Sequence, residues 1–418
     1  MDTQRIRARF PALRREVAGT PVAYFDGPGG TQVPESVVAA VAEQMIAHNG
    51  NAGWNYPTSR ETDAMIDDAR AAFATLFGAD DPDTIVFGAN MTTLTLRLAH
   101  ALGRHTEPGD EVVLTELDHH ANVDTWRLLE ADRGVTIRVA RMDPTTGLLD
   151  LDHLESLLNE RTRLLAIGAA SNALGTMPDV ARAARAAHDA GALVFVDAVH
   201  YASHELPDVA ALGADFLAAS AYKFYGPHVG VLYGRPDLLA ALDLPKVVSA
   251  SDDAPGRVET GTANFEGIAG ALAAVRFLAD PEGGDADDAS RDAAADAVPV
   301  TRDALARTYR ALHEHGESLV PRLWQGLNAI DGVTTYGPAP AASPRTPTVG
   351  FTIDGIHARD AAGALAERAL FVSHGDFYAA TVIDRLGVRE RGGLLRAGCA
   401  IYTTADEVDR LVAAVADL

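Results

Sequence analysis

Of the 35 basic residues in this chain only two are lysines, Lys223 and Lys246. A sequence that takes arginine almost everywhere keeps a lysine where an amine is needed, because a guanidinium neither forms an imine nor gives up its proton. Lys223 follows the strand-like run Asp215-Phe-Leu-Ala-Ala-Ser220, and Asp197 ends a second apolar run, Leu193-Val-Phe-Val196. Both residues then fall at C-terminal strand ends, where open parallel sheets bind their ligands. Gly88-Ala-Asn-Met-Thr-Thr93 joins a strand to a helix, so the backbone of Ala89, Asn90 and Met91, on to Thr92, is placed to cradle a phosphate.

A reactive amine, a carboxylate that keeps a heterocyclic nitrogen protonated and a phosphate cradle are parts that pyridoxal-phosphate (PLP) chemistry needs. The remaining parts are a ring to cover one cofactor face and a cation, ideally a bidentate arginine, for a substrate carboxylate. Each candidate alone has a plainer reading. An Asp at a strand end caps helices and turns, a buried lysine snorkels or pairs, and Gly27-Pro-Gly-Gly30 reads as a turn. His119-His120 has no convergent third ligand, so no metal is expected. The ordered set carries the assignment, not any one member.

The elements that must position this set alternate between helix and strand from Pro34 to Gly234. Helices are expected at 60–77, 91–102, 121–133, 151–159 and 181–190; strands at 84–87, 111–115, 135–140, 163–167 and 193–196. That alternation predicts an α/β fold with a mostly parallel sheet covered by helices on both faces. Residues 279–300, rich in Asp, Ala and Gly, read as an acidic low-complexity insertion. A long helix over 301–327 follows, then strands at 348–353 and 394–398 and helices at 358–368 and 406–415, which predicts a smaller α+β domain over 301–418. The large domain is expected over 21–278, with residues 1–20 packing on the small one.

Length and charge narrow the class further. The 418 residues are enough for two or three domain-sized units, and the formal charge of −23 disfavours nucleic acid and anionic membrane as partners. Cys399 is the only cysteine, which excludes an intramolecular disulfide and a cysteine-based zinc site. No run approaches the roughly 20 apolar residues of a membrane span, and the polar start Met1–Arg15 has no signal-peptide character. A cytoplasmic protein is expected.

The local wording resembles fold-type I PLP enzymes of the class V aminotransferase family, in particular the cysteine desulfurase and selenocysteine lyase branch. Ser220-Ala-Tyr-Lys-Phe-Tyr-Gly-Pro227 is similar to the family's Ser-x-His-Lys-x-x-Gly-Pro. The resemblance implies a three-layer fold with a seven-stranded sheet, Lys223 as the Schiff-base lysine and Ser220 as a phosphate ligand, with Tyr222 beside the cofactor. It further implies that His119 stacks on the pyridine ring, Asn172 contacts the 3-hydroxyl, Asp197 partners the ring nitrogen and His200 stands where desulfurases carry Gln. Glu259-Thr-Gly-Thr-Ala-Asn264 resembles the segment that reaches a partner subunit's phosphate, through Gly261 and Thr262, which implies a homodimer with shared sites. Leu395-Arg-Ala-Gly-Cys-Ala-Ile-Tyr-Thr-Thr404 resembles the motif whose arginine binds the substrate carboxylate, giving Arg396; Asn55, His374 and Tyr378 join it as substrate-binding candidates.

Two departures matter. Tyr222 replaces the histidine that precedes the family lysine. The loop that carries the desulfurase nucleophile corresponds to Val372-Ser-His-Gly-Asp-Phe-Tyr-Ala379, which contains no cysteine, and Cys399 reads as a small core residue. His374, Asp376 and Tyr378 are left as acid–base or pocket-shaping groups. A C–S or C–Se lyase acting on an amino acid is the expected activity; an aminotransferase, an amino-acid epimerase or a non-catalytic PLP-binding protein are the alternatives. Any sulfur-accepting partner is not identifiable from the sequence.

Overall fold

The structure is a computed structural model that describes residues 1–283 and 299–418. Seven strands form the central sheet: β1 (Ile85–Gly88), β2 (Glu111–Thr115), β3 (Thr136–Ala140), β4 (Thr162–Gly168), β5 (Leu193–Asp197), β6 (Phe216–Ser220) and β7 (Gly230–Gly234). Their spatial order is β1-β7-β6-β5-β4-β2-β3. All run parallel except β7, which is antiparallel to both β1 and β6. β7 is the one strand of this sheet absent from the sequence-based assignments. The link Ala221–Val229 that precedes it is too short for a parallel crossover, so the chain returns antiparallel.

The near-continuous apolar runs of these strands follow from burial on both faces. Successive side chains point to opposite faces. Ile167, Val194, Val196 and Leu217 thus join one core, while Ala166, Phe195, Phe216 and Ala218 join the other, around Trp126. Helix α1 (Glu35–Ile46) joins a separate small cluster through Val37, α2 (Pro57–Phe77) lies on the first side, and α3 (Met91–Gly103) covers the second. α4 (Phe265–Ala279) packs against α1 and α2 and ends where the acidic stretch begins; residues 284–298 of that stretch lie outside the described residues.

The second unit is a four-stranded antiparallel sheet, β8 (Val333–Tyr336), β9 (Thr348–Ile353), β10 (Ser373–Gly375) and β11 (Leu394–Gly398), in the order β8-β9-β11-β10. α5 (Arg302–Asn328) and α6 (Ala405–Ala416) cover it, with Val349, Phe351, Leu395, Ala397 and Cys399 in the core between. α5 serves both units: near its start Arg302 donates to the Thr75, Leu76 and Pro207 carbonyls. Residues 1–20 also touch both units. Arg7 pairs with Glu407 of α6 at 2.9 Å, Phe10 packs edge-on against Tyr402, Tyr225 and Phe277, and Arg9 donates to the Asp280 carbonyl. Among the described residues no helix is long and apolar enough to cross a membrane.

Candidate active site

The C-terminal ends of β5 and β6 open onto a cavity that reaches the first turn of α3. Lys223 gets there because β6 ends at Ser220 and a short 3₁₀ turn, Ala221–Lys223, folds back over it. Asn90 caps α3 by accepting from Thr93 N–H at 2.9 Å, and Met91 N–H donates to Ser220 Oγ at 3.1 Å. First-turn amides have no partner within their own helix; with these two taken, Thr92 N–H is the one left facing the cavity. Gly230 on β7 makes this packing possible, since a Cβ there would sit 2.4 Å from the Asn90 carbonyl carbon.

Burial governs the charges. Lys223 is 8% exposed, and its amine donates to the carbonyls of Pro28 and, at 3.2 Å, Gly29. The Gly27–Gly30 turn, read from sequence as a turn only, is thereby part of the lysine's surroundings. Burial and then Arg396 bring the lysine down to about 7, opposed by Asp197. Asp197 accepts from Val199 N–H at 2.9 Å and is raised to about 6 by burial. Asp118 lies behind it, fully enclosed and accepting from Gly168 N–H at 2.6 Å. Burial, and Asp197 as a like charge, push Asp118 well above the carboxylate range. The shift favours leaving the charge of the pair to Asp197. His119 is lowered to about 4, mainly by burial and then by Lys223. Its Nδ1 accepts from Ala121 N–H at 3.0 Å, so the neutral ring carries its proton on Nε2.

Arg396 enters from β11 at the mouth of the same cleft, 3% exposed and lowered to about 9 by burial. One Nη donates to the Asn172 carbonyl at 2.7 Å, the other to Ser373 Oγ at 3.4 Å, and the guanidinium lies 4.0 Å from the Phe377 ring centroid. Phe377 O accepts from Asn172 Nδ2 at 2.9 Å, and Tyr378 O accepts from His120 N–H at 2.6 Å. The Tyr378 ring is 73% exposed and sits 5.5 Å from that of His119. Alternation along β10 points Ser373 at Arg396 and turns His374 to the opposite, exposed face.

The structure thus gathers Asn90, Met91, His119, Asn172, Asp197, His200, Ser220, Tyr222 and Lys223 around one cavity, with Arg396 and Tyr378 at its mouth. It does not bring in His374 or Asn55, which is exposed ahead of α2. Ala89, Gly261 and Thr262 line a separate surface groove beside Glu259 and His228. Cys399 is buried in the small domain, its thiol raised to about 12 by burial. Sequence reasoning missed Ser373, Phe377 and the Pro28 and Gly29 carbonyls, none of which belongs to a titratable group. It also missed Asp26, whose buried Oδ1 lacks a partner and which burial raises to about 6.

The residues fit pyridoxal phosphate. Among the described residues the buried polar atoms without a hydrogen-bond partner include Asn172 Oδ1, His200 Nδ1 and Arg396 Nε. Asn172 and His200 line the inner cavity and Arg396 its mouth. Orphaned atoms of this kind are rare and expensive unless a ligand completes them. An acceptor and a ring N–H suit a ring hydroxyl, and a guanidinium edge suits a carboxylate.

Known proteins agree with this architecture. The model of the class-V aminotransferases matches residues 23–299 and 304–411. A cysteine desulfurase of Klebsiella pneumoniae is 33% identical over 99% of this chain and 97% of its own, and a probable cysteine desulfurase of Halobacterium salinarum is 33% identical over 99% and 96%. The crystal structure of the Escherichia coli cysteine desulfurase CsdA superposes with a TM-score of 0.83 at 30% identity, covering 99% of this chain and 98% of that one. The chain belongs to the class V aminotransferase family, with a fold-type I architecture and a cysteine-desulfurase-like sequence.

Proposed function

We propose that the chain is a PLP-dependent lyase that breaks the C–S or C–Se bond at Cβ of a cysteine-type amino acid, without a thiolate of its own. The observation that carries this is the convergence of Lys223, Asp197 and Arg396 on one cleft, while the only thiol lies buried in the small-domain core. Similarity to cysteine desulfurases supports the substrate class. When bound, pyridoxal phosphate supplies an electron sink for the bonds at Cα.

The chain's own groups do the rest. Arg396 holds the substrate carboxylate through its free Nε edge. Lys223, lowered to about 7, holds an uncharged fraction near neutrality and takes the Cα proton. Asp197 would supply the negative charge opposite the ring nitrogen, with the upward shift of Asp118 behind it favouring that division. His119, lowered to about 4, would cover the ring face. Thr92 N–H, Ser220 Oγ and the Asn90 turn would hold the phosphate. As the Cβ–S bond breaks, the Lys223 ammonium returns its proton to the departing sulfur. Water then completes the balance, giving a thiol or hydrogen sulfide with pyruvate and ammonia.

Gly261 and Thr262 are exposed and away from their own subunit's cavity. That placement supports a homodimer in which they complete the neighbour's phosphate site. The test is to load the protein with cofactor, add cysteine, cystine, selenocysteine, an S-alkyl cysteine or alanine, and identify products by mass. Pyruvate with sulfide, selenide or thiol is the expected result. Stoichiometric keto acid with aminated cofactor would make it an aminotransferase, and Cα inversion in deuterated water an epimerase. An absorbance unchanged by every amino acid would make it a binder.

A further inference from the structure

We propose that Thr346 and Thr348 are positioning residues that hold His200 in the tautomer with its proton on Nδ1, and so present an N–H donor to the ring oxygen of the cofactor. His200 follows the strand that ends in Asp197 and is 3% exposed. Its Nε2 lies 3.0 Å from Thr346 Oγ1 and 3.2 Å from Thr348 Oγ1. Its Nδ1 is buried without a partner, and the residue lines the cavity that holds Lys223 and Asp197. The groups facing the ring are His204, edge-on at 5.2 Å, and beyond it Lys223 and Arg396. Burial and these three keep the imidazole neutral, with a single proton to place.

The two threonines decide where it goes. They are 1% and 0% exposed, and among the described residues neither hydroxyl has another hydrogen-bond partner. If Nε2 were protonated, both hydroxyl protons would be buried unpaired and Nδ1 would be a bare acceptor. If Nε2 is the acceptor, one hydroxyl donates to it and the ring proton sits on Nδ1, facing the cavity. Each arrangement leaves two buried donors unpaired in the apoprotein, but with a cofactor ring oxygen at Nδ1 the second leaves only one while the first still leaves two. An aliphatic pair at 346 and 348 would leave the tautomer free.

The lock is tied to substrate binding through the backbone. Thr348 opens β9 and pairs with Gly398 of β11, and two residues on Gly350 pairs with Arg396. Thr346 N–H donates to Gly175 O at 2.8 Å, at the end of the loop that carries Asn172. The strand that fixes the carboxylate-binding arginine therefore also fixes the histidine's proton.

The tautomer preference and the donor's target both rest on the cofactor assignment above, and two readouts distinguish a failure of that assignment from a failure of the threonine lock. In the first, protein labelled with nitrogen-15 histidine is examined with and without cofactor, the His200 resonances being identified by their loss in His200→Gln. Cofactor-loaded wild type should show a protonated Nδ1 and a bare Nε2, retained in Thr346→Ser and Thr348→Ser. The double variant Thr346→Val/Thr348→Val should show mixed tautomers. In the second, the pH midpoint of the bound cofactor's visible absorbance should rise by about one unit, tenfold in proton affinity, in the double valine variant. The rise follows because a donor favours the ionised ring oxygen. With His200→Gln, whose amide donates without help, adding the two valines should leave the midpoint where it is. A protonated Nε2 in the wild type overturns the proposal even if the valine variants fail to fold. Valines that lower the melting temperature without moving tautomer or midpoint reduce the threonines to packing. A protein that never acquires a cofactor band sinks the assignment of the cofactor and the proposal with it, whereas a protonated Nε2 in protein that carries the band sinks the proposal alone.

Discussion

Replacing Arg396 by lysine tests the substrate site most sharply, because the positive charge stays and only the fork is lost. A guanidinium has five N–H donors. Here one is taken by the Asn172 carbonyl and one by Ser373 Oγ, while Nε is unpaired. Nε–H and the adjacent free Nη–H therefore form a side-on edge of two parallel donors, the geometry a carboxylate accepts bidentately. An ammonium offers a compact point charge that cannot hold Asn172, Ser373 and both carboxylate oxygens together. Losing one charge-assisted hydrogen bond costs about 1.5–3 kcal/mol, roughly 10- to 150-fold in affinity. Arg396→Lys should then raise KM, or the half-saturating amino acid in an absorbance titration of the cofactor, by that factor and change kcat by much less. Cofactor retention should stay at the wild-type level. A KM within twofold of wild type would refute this placement of the carboxylate.

Lys223→Met should abolish the borohydride-trapped cofactor adduct while stabilising the apoprotein. The lysine's folded value of about 7 lies below its unfolded one, so its burial penalty is complete below pH 7 and fades as pH rises toward 10. Denaturant titration should show a gain on the order of 3 kcal/mol at pH 7.5 that shrinks by pH 9. Thr262→Ala should weaken cofactor retention several-fold in gel-filtered protein with the melting temperature unchanged; unaltered retention removes the argument for a composite site. Cys399→Ala should cost about 1 kcal/mol of stability and leave product formation intact, and loss of sulfide release would mean the buried thiol takes part. His119 has its folded value near 4, below the ordinary 6.5, so the unfolded chain takes up the proton first as pH falls. Stability present above pH 6.5 is lost on the way to 4, and the apoprotein's loss between pH 6.5 and 4.5 should be about 2–3 kcal/mol larger in wild type than in His119→Phe.

The large domain was legible because its strands are apolar on both faces and its helices end at glycines; Gly134 and Gly213, for example, adopt left-handed backbone at helix ends. The antiparallel β7 was not, since Gly-Val-Leu-Tyr-Gly has no feature that gives direction; only the shortness of the preceding link does. The short strands β8 and β10 escaped for a similar reason, their burial being set by partners distant in sequence. Within the site, residues marked by unusual chemistry were visible: a lysine in a chain of arginines, an acid ending an apolar strand. Ser373 and Phe377 were hidden because what matters in them is a face and a carbonyl. His374, chemically the more attractive neighbour, points away through the alternation of β10. Nothing in the sequence shows that Nε2 of His200 is taken and Nδ1 left unpaired either, because that depends on two threonines brought in from the other domain.

The loop from Asp376 to Ala379 bears on how sulfur would leave. Phe377 and Tyr378 both adopt left-handed backbone, with φ of 55° and 56°, and neither is glycine. Such residues cost on the order of 1–3 kcal/mol each and persist only where surrounding contacts over-determine them. The contacts are present: Tyr378 N–H donates to Asp376 Oδ1 at 3.0 Å, the two carbonyls accept from Asn172 and His120, and the Phe377 ring backs the Arg396 guanidinium. A thiolate that attacks substrate sulfur and then hands it on needs a segment that swings between the cofactor and an acceptor. This segment is instead pinned at both carbonyls and backs the arginine proposed to hold the substrate, so moving it would disturb that arginine. A site in which sulfur departs directly has no need for that motion, and a loop with no cysteine is free to serve as the wall that fixes Arg396.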